Sequence, residues 1–269
     1  MVSESLIPKH VAVIMDGNGR WAERRGRPRV FGHIRGASRV KSIVERADQQ
    51  GIQALTLFAF STENWSRPDS ELKVLWRLLK KYLRREVAHL ESKNVRLRVI
   101  GETDRLPPDV LEVVGPAIER LSKNTGLVLT FAISYGARRE IVKAAASFAE
   151  ECLSGKIRPE QLTEGVFSSY LWTSVLGELS DVDLMIRTSG EKRISNFLLW
   201  QCAYSELVFS DVCWPEFSIA HFDDAIRTFQ SRKRRFGGVT AGPESRAPHS
   251  AHAGAAPILP ADLSPGIIS

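Results

Sequence analysis

The sequence predicts an α/β fold: a single domain with a mainly parallel six-stranded sheet surrounded by helices. Three observations predict it. Six short apolar runs are rich in β-branched and aromatic residues, several are apolar throughout, and helical patterns separate them. Strands covered on both faces lose the apolar/polar alternation, and strands interleaved with helices pair in parallel through crossovers.

The expected strands are Val11–Met15, Ala54–Phe60, Val95–Ile100, Leu127–Ile133, Val182–Ile186 and Leu207–Phe209. The clearest helix follows Pro68 and runs from about Asp69 to Lys93, with Leu72, Leu75, Trp76, Leu79, Leu83, Val87 and Leu90 on one stripe. Val74, Leu78 and Tyr82 widen that stripe. Such a helix either packs on a sheet or walls a long apolar cavity, and periodicity does not separate the two. After Gly238 the chain turns rich in Ala, Pro, Gly and Ser, without periodicity. Residues 1–238 are therefore expected to form the folded domain and 239–269 a disordered tail.

Composition bounds the function classes. The chain has 269 residues, 43% hydrophobic and 25% charged, enough for one large core. Its net charge is +6, with +7 on residues 1–238 and −1 on the tail, which carries only Glu244, Asp262 and Arg246. A basic body suits an anionic partner. The three cysteines, Cys152, Cys202 and Cys213, have no metal-type spacing and read as reduced structural thiols. No apolar run approaches the ~20 residues of a membrane span. Residues 1–9 lack the apolar stretch of a secretory signal, so a soluble cytoplasmic protein is expected.

Three segments carry candidate chemistry, each at the carboxyl end of an expected strand, where open α/β sheets bind ligands. Asp16-Gly17-Asn18-Gly19-Arg20-Trp21 offers a carboxylate for a hard cation and glycines that let backbone approach a phosphate. Asp-Gly and Asn-Gly are also ordinary turn pairs. The basic run Arg20, Arg24, Arg25, Arg27, Arg29, Arg35, Arg39 and Lys41, with Gly32, His33 and Gly36, favours the phosphate site. The second segment, Ser61-Thr62-Glu63-Asn64-Trp65-Ser66-Arg67-Pro68, concentrates hydroxyls, an amide, a carboxylate, an indole and an arginine in one loop, or supplies a helix N-cap. In the third, Arg187, Arg193 and Ser195 can clamp a second phosphate group, and Glu206 follows as a second candidate cation ligand. Two phosphate clamps, two carboxylates for Mg²⁺ and a wide apolar helix describe two diphosphate ligands, one with a long apolar tail. A nucleic-acid binder is disfavoured, since the basic segments lack an interleaved aromatic platform or a recognition motif.

These motifs resemble the cis-prenyltransferases, and among them the bacterial undecaprenyl diphosphate synthases. The resemblance rests on Met15 to Ala22, Gly32-His33, Phe60 to Pro68 and Ile186 to Leu198, in order over about residues 6–238. It implies that Asp16 binds Mg²⁺ and assists departure of an allylic diphosphate, held by Gly17, Asn18, Gly19, Arg20, Arg29 and His33, with Trp21 beside it. Ser61, Thr62, Glu63, Trp65 and Arg67 would belong to a mobile loop, and Asn64 would position or relay the proton. Arg187, Arg193, Ile194 and Ser195 would bind isopentenyl diphosphate, and Glu206 would share the metal. Arg235-Phe236-Gly237 resembles a motif in which Arg235 and Gly237 reach across a homodimer. An apolar tunnel, a farnesyl diphosphate starter and product release at the cytoplasmic face of a membrane complete the expectation. Ala59, small and next to Phe60, points to long products such as undecaprenyl diphosphate. A short-chain synthase and a non-catalytic partner subunit are the alternatives. Ser134-Tyr135-Gly136-Ala137 departs from the Asn-Tyr-Gly-Gly usual in the family.

Overall fold

The computed structural model describes residues 7–232. Six strands, β1 (His10–Ile14), β2 (Ala54–Ser61), β3 (Arg96–Ile100), β4 (Val128–Tyr135), β5 (Leu184–Arg187) and β6 (Glu206–Phe209), form one sheet in the order β3-β4-β2-β1-β5-β6. All five neighbouring pairs are parallel, so the sheet is parallel throughout. Helices α1 (Asn18–Glu23), α2 (Arg29–Gln49), α3 (Asp69–Ser92), α4 (Pro108–Arg120), α5 (Ala137–Leu153), α6 (Glu164–Tyr170) and α7 (Ile219–Ser231) connect and flank the strands.

The central strands are buried on both faces, which explains their unbroken apolar runs. Val11, Val13, Leu55, Leu57, Leu129 and Phe131 pack toward α2, α3, α4 and α7. Their sequence neighbours Ala12, Ile14 and Ala132 point the other way, into a second core with Phe197 and Leu198. On α3, Leu72, Trp76, Leu83, Val87 and Leu90 are buried, whereas Leu75, Leu79 and Tyr82 are only partly so. Leu72, Leu83, Val87 and Leu90 pack in the core, while Leu75, Trp76, Leu78, Leu79 and Tyr82 line a cavity. Among the described residues, no helix is long and apolar enough to cross a membrane.

Connections leaving β1 and β5 run to opposite sides, since β2 lies beside β1 and β6 beyond β5. The crevice above the carboxyl ends of these two strands is the topological switch point, the usual ligand position in an open parallel sheet. Ile14 pairs with Arg187 there, which brings the segment after β1 against the end of β5. The motif Arg235 to Gly237 and the 239–269 tail lie outside the described residues.

Candidate active site

A cavity of about 320 Å³ opens at this crevice. Asp16, Gly17, Asn18, Gly19, Arg20, Arg29, His33, Ser61, Asn64, Arg67 and Arg187 line its polar part. Below them the walls become apolar, with Val40, Leu75, Leu78, Leu79, Tyr82, Phe131 and Ile133. A charged rim over an apolar body suits a ligand with an anionic head and a hydrocarbon tail.

Asp16 sits at the centre of the rim. Its Oδ1 accepts from the Gly17 N–H at 2.6 Å, and its Oδ2 accepts from Arg187 at 2.9 Å and Arg20 at 3.1 Å. Partial burial works to raise its pKa, but the Arg187 and Gly17 hydrogen bonds and the nearby guanidinium charges outweigh it and hold the carboxyl below its ordinary value. Gly17, at φ 93°, makes the left-handed turn into α1, and a side chain there would strike Ser189 and Cys213.

Arg187 is 4% exposed. It donates to Ser195 Oγ at 2.6 Å and to the Arg193 carbonyl, while its Nε has no hydrogen-bond partner among the described residues. A buried guanidinium with an unused donor calls for an anionic acceptor. The 189–198 loop that surrounds it is tightly turned, with Ser189, Ser195, Asn196 and Leu198 all at positive φ. Arg193 pairs with Glu191, which also accepts from Arg20 at 2.8 Å.

A second group of cations is gathered by Glu71, a residue that the sequence motifs do not single out. It is 7% exposed, on the first turn of α3. Its Oε1 accepts from Arg67 at 2.7 Å and lies 3.1 Å from His33 Nε2, and its Oε2 lies 3.9 Å from Arg29. Burial, then the Arg67 charge, lower the His33 pKa against the pull of Glu71. The available signal was the four-residue step from Arg67 across the helix start.

Other expected residues are placed differently. Trp21 is buried against Phe31 and Arg25 and does not line the cavity. Thr62 to Ser66 form a 3₁₀ turn in which Asn64 Oδ1 accepts from the Ser61 N–H at 3.1 Å, a capping role. Trp65 packs on Phe60 and Trp76 and donates to Ser134 Oγ at 2.9 Å, and Glu63 accepts from Asn196 at 3.1 Å. Ile194 packs in the second core. The basic run divides: Arg20 and Arg29 reach the cavity, whereas Arg25 pairs with Glu216, Arg39 with the Pro215 carbonyl and Lys41 with Glu86.

Within one copy of the chain, Glu206 lies away from Asp16. Strand register pairs it with Leu184, three residues before Arg187, so it starts its strand about 10 Å from the crevice end. Arg232 donates to its Oε2 at 2.7 Å. Among the described residues, no group of three or more His, Cys, Asp or Glu forms a metal cluster. One partly exposed, ionised Asp16 still fits Mg²⁺, which commonly takes one or two carboxylates and completes its shell with substrate phosphates and water.

Comparison with known proteins places this parallel α/β chain among the prenyltransferases. The family model described as putative undecaprenyl diphosphate synthase matches residues 14–237. The isoprenyl transferase of Geobacter sulfurreducens is 52% identical over 87% of this chain and 94% of its own. That of Geobacillus kaustophilus is 51% identical over 87% and 90%. Among solved structures, lavandulyl diphosphate synthase from Lavandula x intermedia, in complex with dimethylallyl diphosphate, matches at TM-score 0.84 and 35% identity over 86% of this chain and 98% of its own. A probable undecaprenyl diphosphate synthase from Campylobacter jejuni matches at 0.69 and 37%, with the same coverage. The chain belongs to the undecaprenyl diphosphate synthase family of prenyltransferases.

Proposed function

We propose that this enzyme condenses isopentenyl diphosphate with an allylic diphosphate, farnesyl diphosphate as starter, to give a medium- or long-chain Z-polyprenyl diphosphate. An undecaprenyl product would supply a carrier-lipid precursor for cell-wall glycan. The observation that carries this reading is Asp16 between Arg20 and Arg187 at the mouth of an apolar cavity. Ala59, small and half-buried on the cavity wall, supports room for a tail.

The chemistry follows from the rim. The allylic C–O bond breaks with its electron pair leaving on diphosphate. The isopentenyl double bond forms the new C–C bond, and loss of one proton from isopentenyl diphosphate sets the next double bond. Arg20, Arg29 and the glycine turn hold the departing anion, and fixed donors at a developing charge lower the barrier without reorganising. Arg187, with its unused Nε–H, and Ser195 hold the second diphosphate. Asp16 would hold Mg²⁺, whose contribution is neutralisation of the departing diphosphate. Asn64 positions substrate, because an amide is a poor base.

Residues 1–238 form the catalytic domain in this proposal, and the active unit is a homodimer. In that dimer Glu206, on edge strand β6, would serve a neighbouring cleft rather than its own. Purified protein with farnesyl diphosphate, isopentenyl diphosphate and Mg²⁺ should yield polyprenyl diphosphates by mass spectrometry. Absence of any elongated product would overturn the reading and favour a non-catalytic subunit.

A further inference from the structure

Asn196 directly follows Ser195, whose Oγ accepts from Arg187 at 2.6 Å. Its backbone is left-handed, at φ 59°, a conformation that Asn and Asp adopt more readily than other residues with a Cβ. Helix α5 begins at Ala137, and its first N–H groups have no acceptor within the helix. Asn196 supplies two. Its carbonyl oxygen accepts from the Ala137 N–H at 2.8 Å, and its Oδ1 accepts from the Arg138 N–H at 2.9 Å. On its other side Phe197 is fully buried and stacks on Phe58, with ring centroids 4.3 Å apart. Asn196 is therefore fixed by α5, by the second core and by the arginine clamp.

The carboxamide's Nδ2 reaches the turn after β2, where it donates to Glu63 Oε1 at 3.1 Å. Partial burial works to raise the Glu63 pKa, but its own backbone N–H and the Asn196 donor outweigh it and keep the group ionised. The junction is tight: a Cβ on Gly136 would lie 2.6 Å from Thr62 Oγ1 and 2.9 Å from Asn196 Nδ2, pushing turn and loop apart. Resting on the prenyltransferase reading, we propose that Asn196 is a positioning residue that holds the Asn64 turn in register with the clamp for isopentenyl diphosphate. Arg187 and Ser195 form that clamp, while Ser61, Asn64 and Arg67, on or beside the turn, line the cavity that Arg187 also lines. The bond from Asn196 to Glu63 makes the position of one segment depend on the other, so filling the clamp favours the turn geometry that completes the cavity. Arg20 and Arg29, on the allylic side, belong to α1 and α2 instead.

The test is steady-state kinetics of Asn196→Asp, alone and combined with Glu63→Gln. Asn196→Asp keeps the left-handed preference and the acceptor for Arg138, but it sets a carboxylate against Glu63. It should raise the KM for isopentenyl diphosphate about five- to tenfold, the scale of one charge-assisted hydrogen bond, and keep that for farnesyl diphosphate within about twofold. Adding Glu63→Gln reverses donor and acceptor, because the new amide can donate to the new carboxylate, and should recover most of the loss. A residue that only supported α5 would gain nothing from a change at Glu63. Glu63→Ala leaves α5 untouched and should reproduce the KM rise, so a folding defect in Asn196→Asp leaves the test decisive. A double variant no better than Asn196→Asp, equal rises in both KM values, or an ordinary KM in Glu63→Ala would overturn the positioning role alone. No elongation by the unaltered chain would remove the prenyltransferase reading and the positioning role with it.

Discussion

Asp16 is held by two arginines, yet it stays partly exposed at the cavity mouth. Replacing it with Ala should lower turnover by at least about 10³-fold, because the group acts on charge that develops only in the reaction. Circular dichroism should show the fold intact, and near-normal activity at saturating Mg²⁺ would exclude the metal role. Glu71 works at one remove. Its carboxylate is shared by Arg67, His33 and Arg29, so Glu71→Ala should raise the KM for the allylic diphosphate about tenfold, the scale of one charge-assisted hydrogen bond, and change kcat less. An equal loss in both constants would point to a different role. Asp16 and Arg187 were legible from strand-end motifs. Glu71 was not, because an acidic residue in the first turn of a helix is ordinary and only packing showed which cations converge on it.

At the scale of elements, the turn between β1 and α1 is locked to α2 by close backbone approach. A Cβ on Gly32 would lie 1.8 Å from the Asn18 carbonyl oxygen, so no rotamer relieves the clash. Gly32→Ala should destabilise the protein by about 1–3 kcal/mol, read from the urea midpoint, and should weaken diphosphate binding by moving Asn18 and Gly19. Wild-type stability in that variant would mean that α1 and α2 can separate freely. The α3 boundaries, Asp69–Ser92, were readable within a residue because Pro68 and the apolar stripe are local signals. The position of Ala59 was not. A register shift between Phe58 and Phe60 interrupts the β2–β4 pairing at Ala59, which lines the cavity; such irregularities depend on the partner strand.

For the whole molecule, His10 links stability to pH. It lies fully buried in β1, with Nε2 2.8 Å from Thr56 Oγ1, and burial lowers its pKa to about 4. It is neutral in the fold but protonates near 6.5 when unfolded, so its contribution is complete above about pH 6.5 and falls as pH drops toward 4. The loss should reach about 3 kcal/mol over that window, and His10→Gln should flatten the slope of unfolding free energy against pH. Parallel slopes for the two proteins would exclude His10 as the source. The sequence by itself determined the α/β class, the six strands and most of the rim chemistry, because apolar period, turn residues and arginine-rich loops are written locally. Only the tertiary structure decided the strand order that brings Arg187 to Asp16 across 171 residues, the register that separates Glu206 from them, and the meeting of Asn196 with Glu63. The physical reason is that strand neighbours and helix faces are chosen by burial over the entire sheet, which no local pattern encodes.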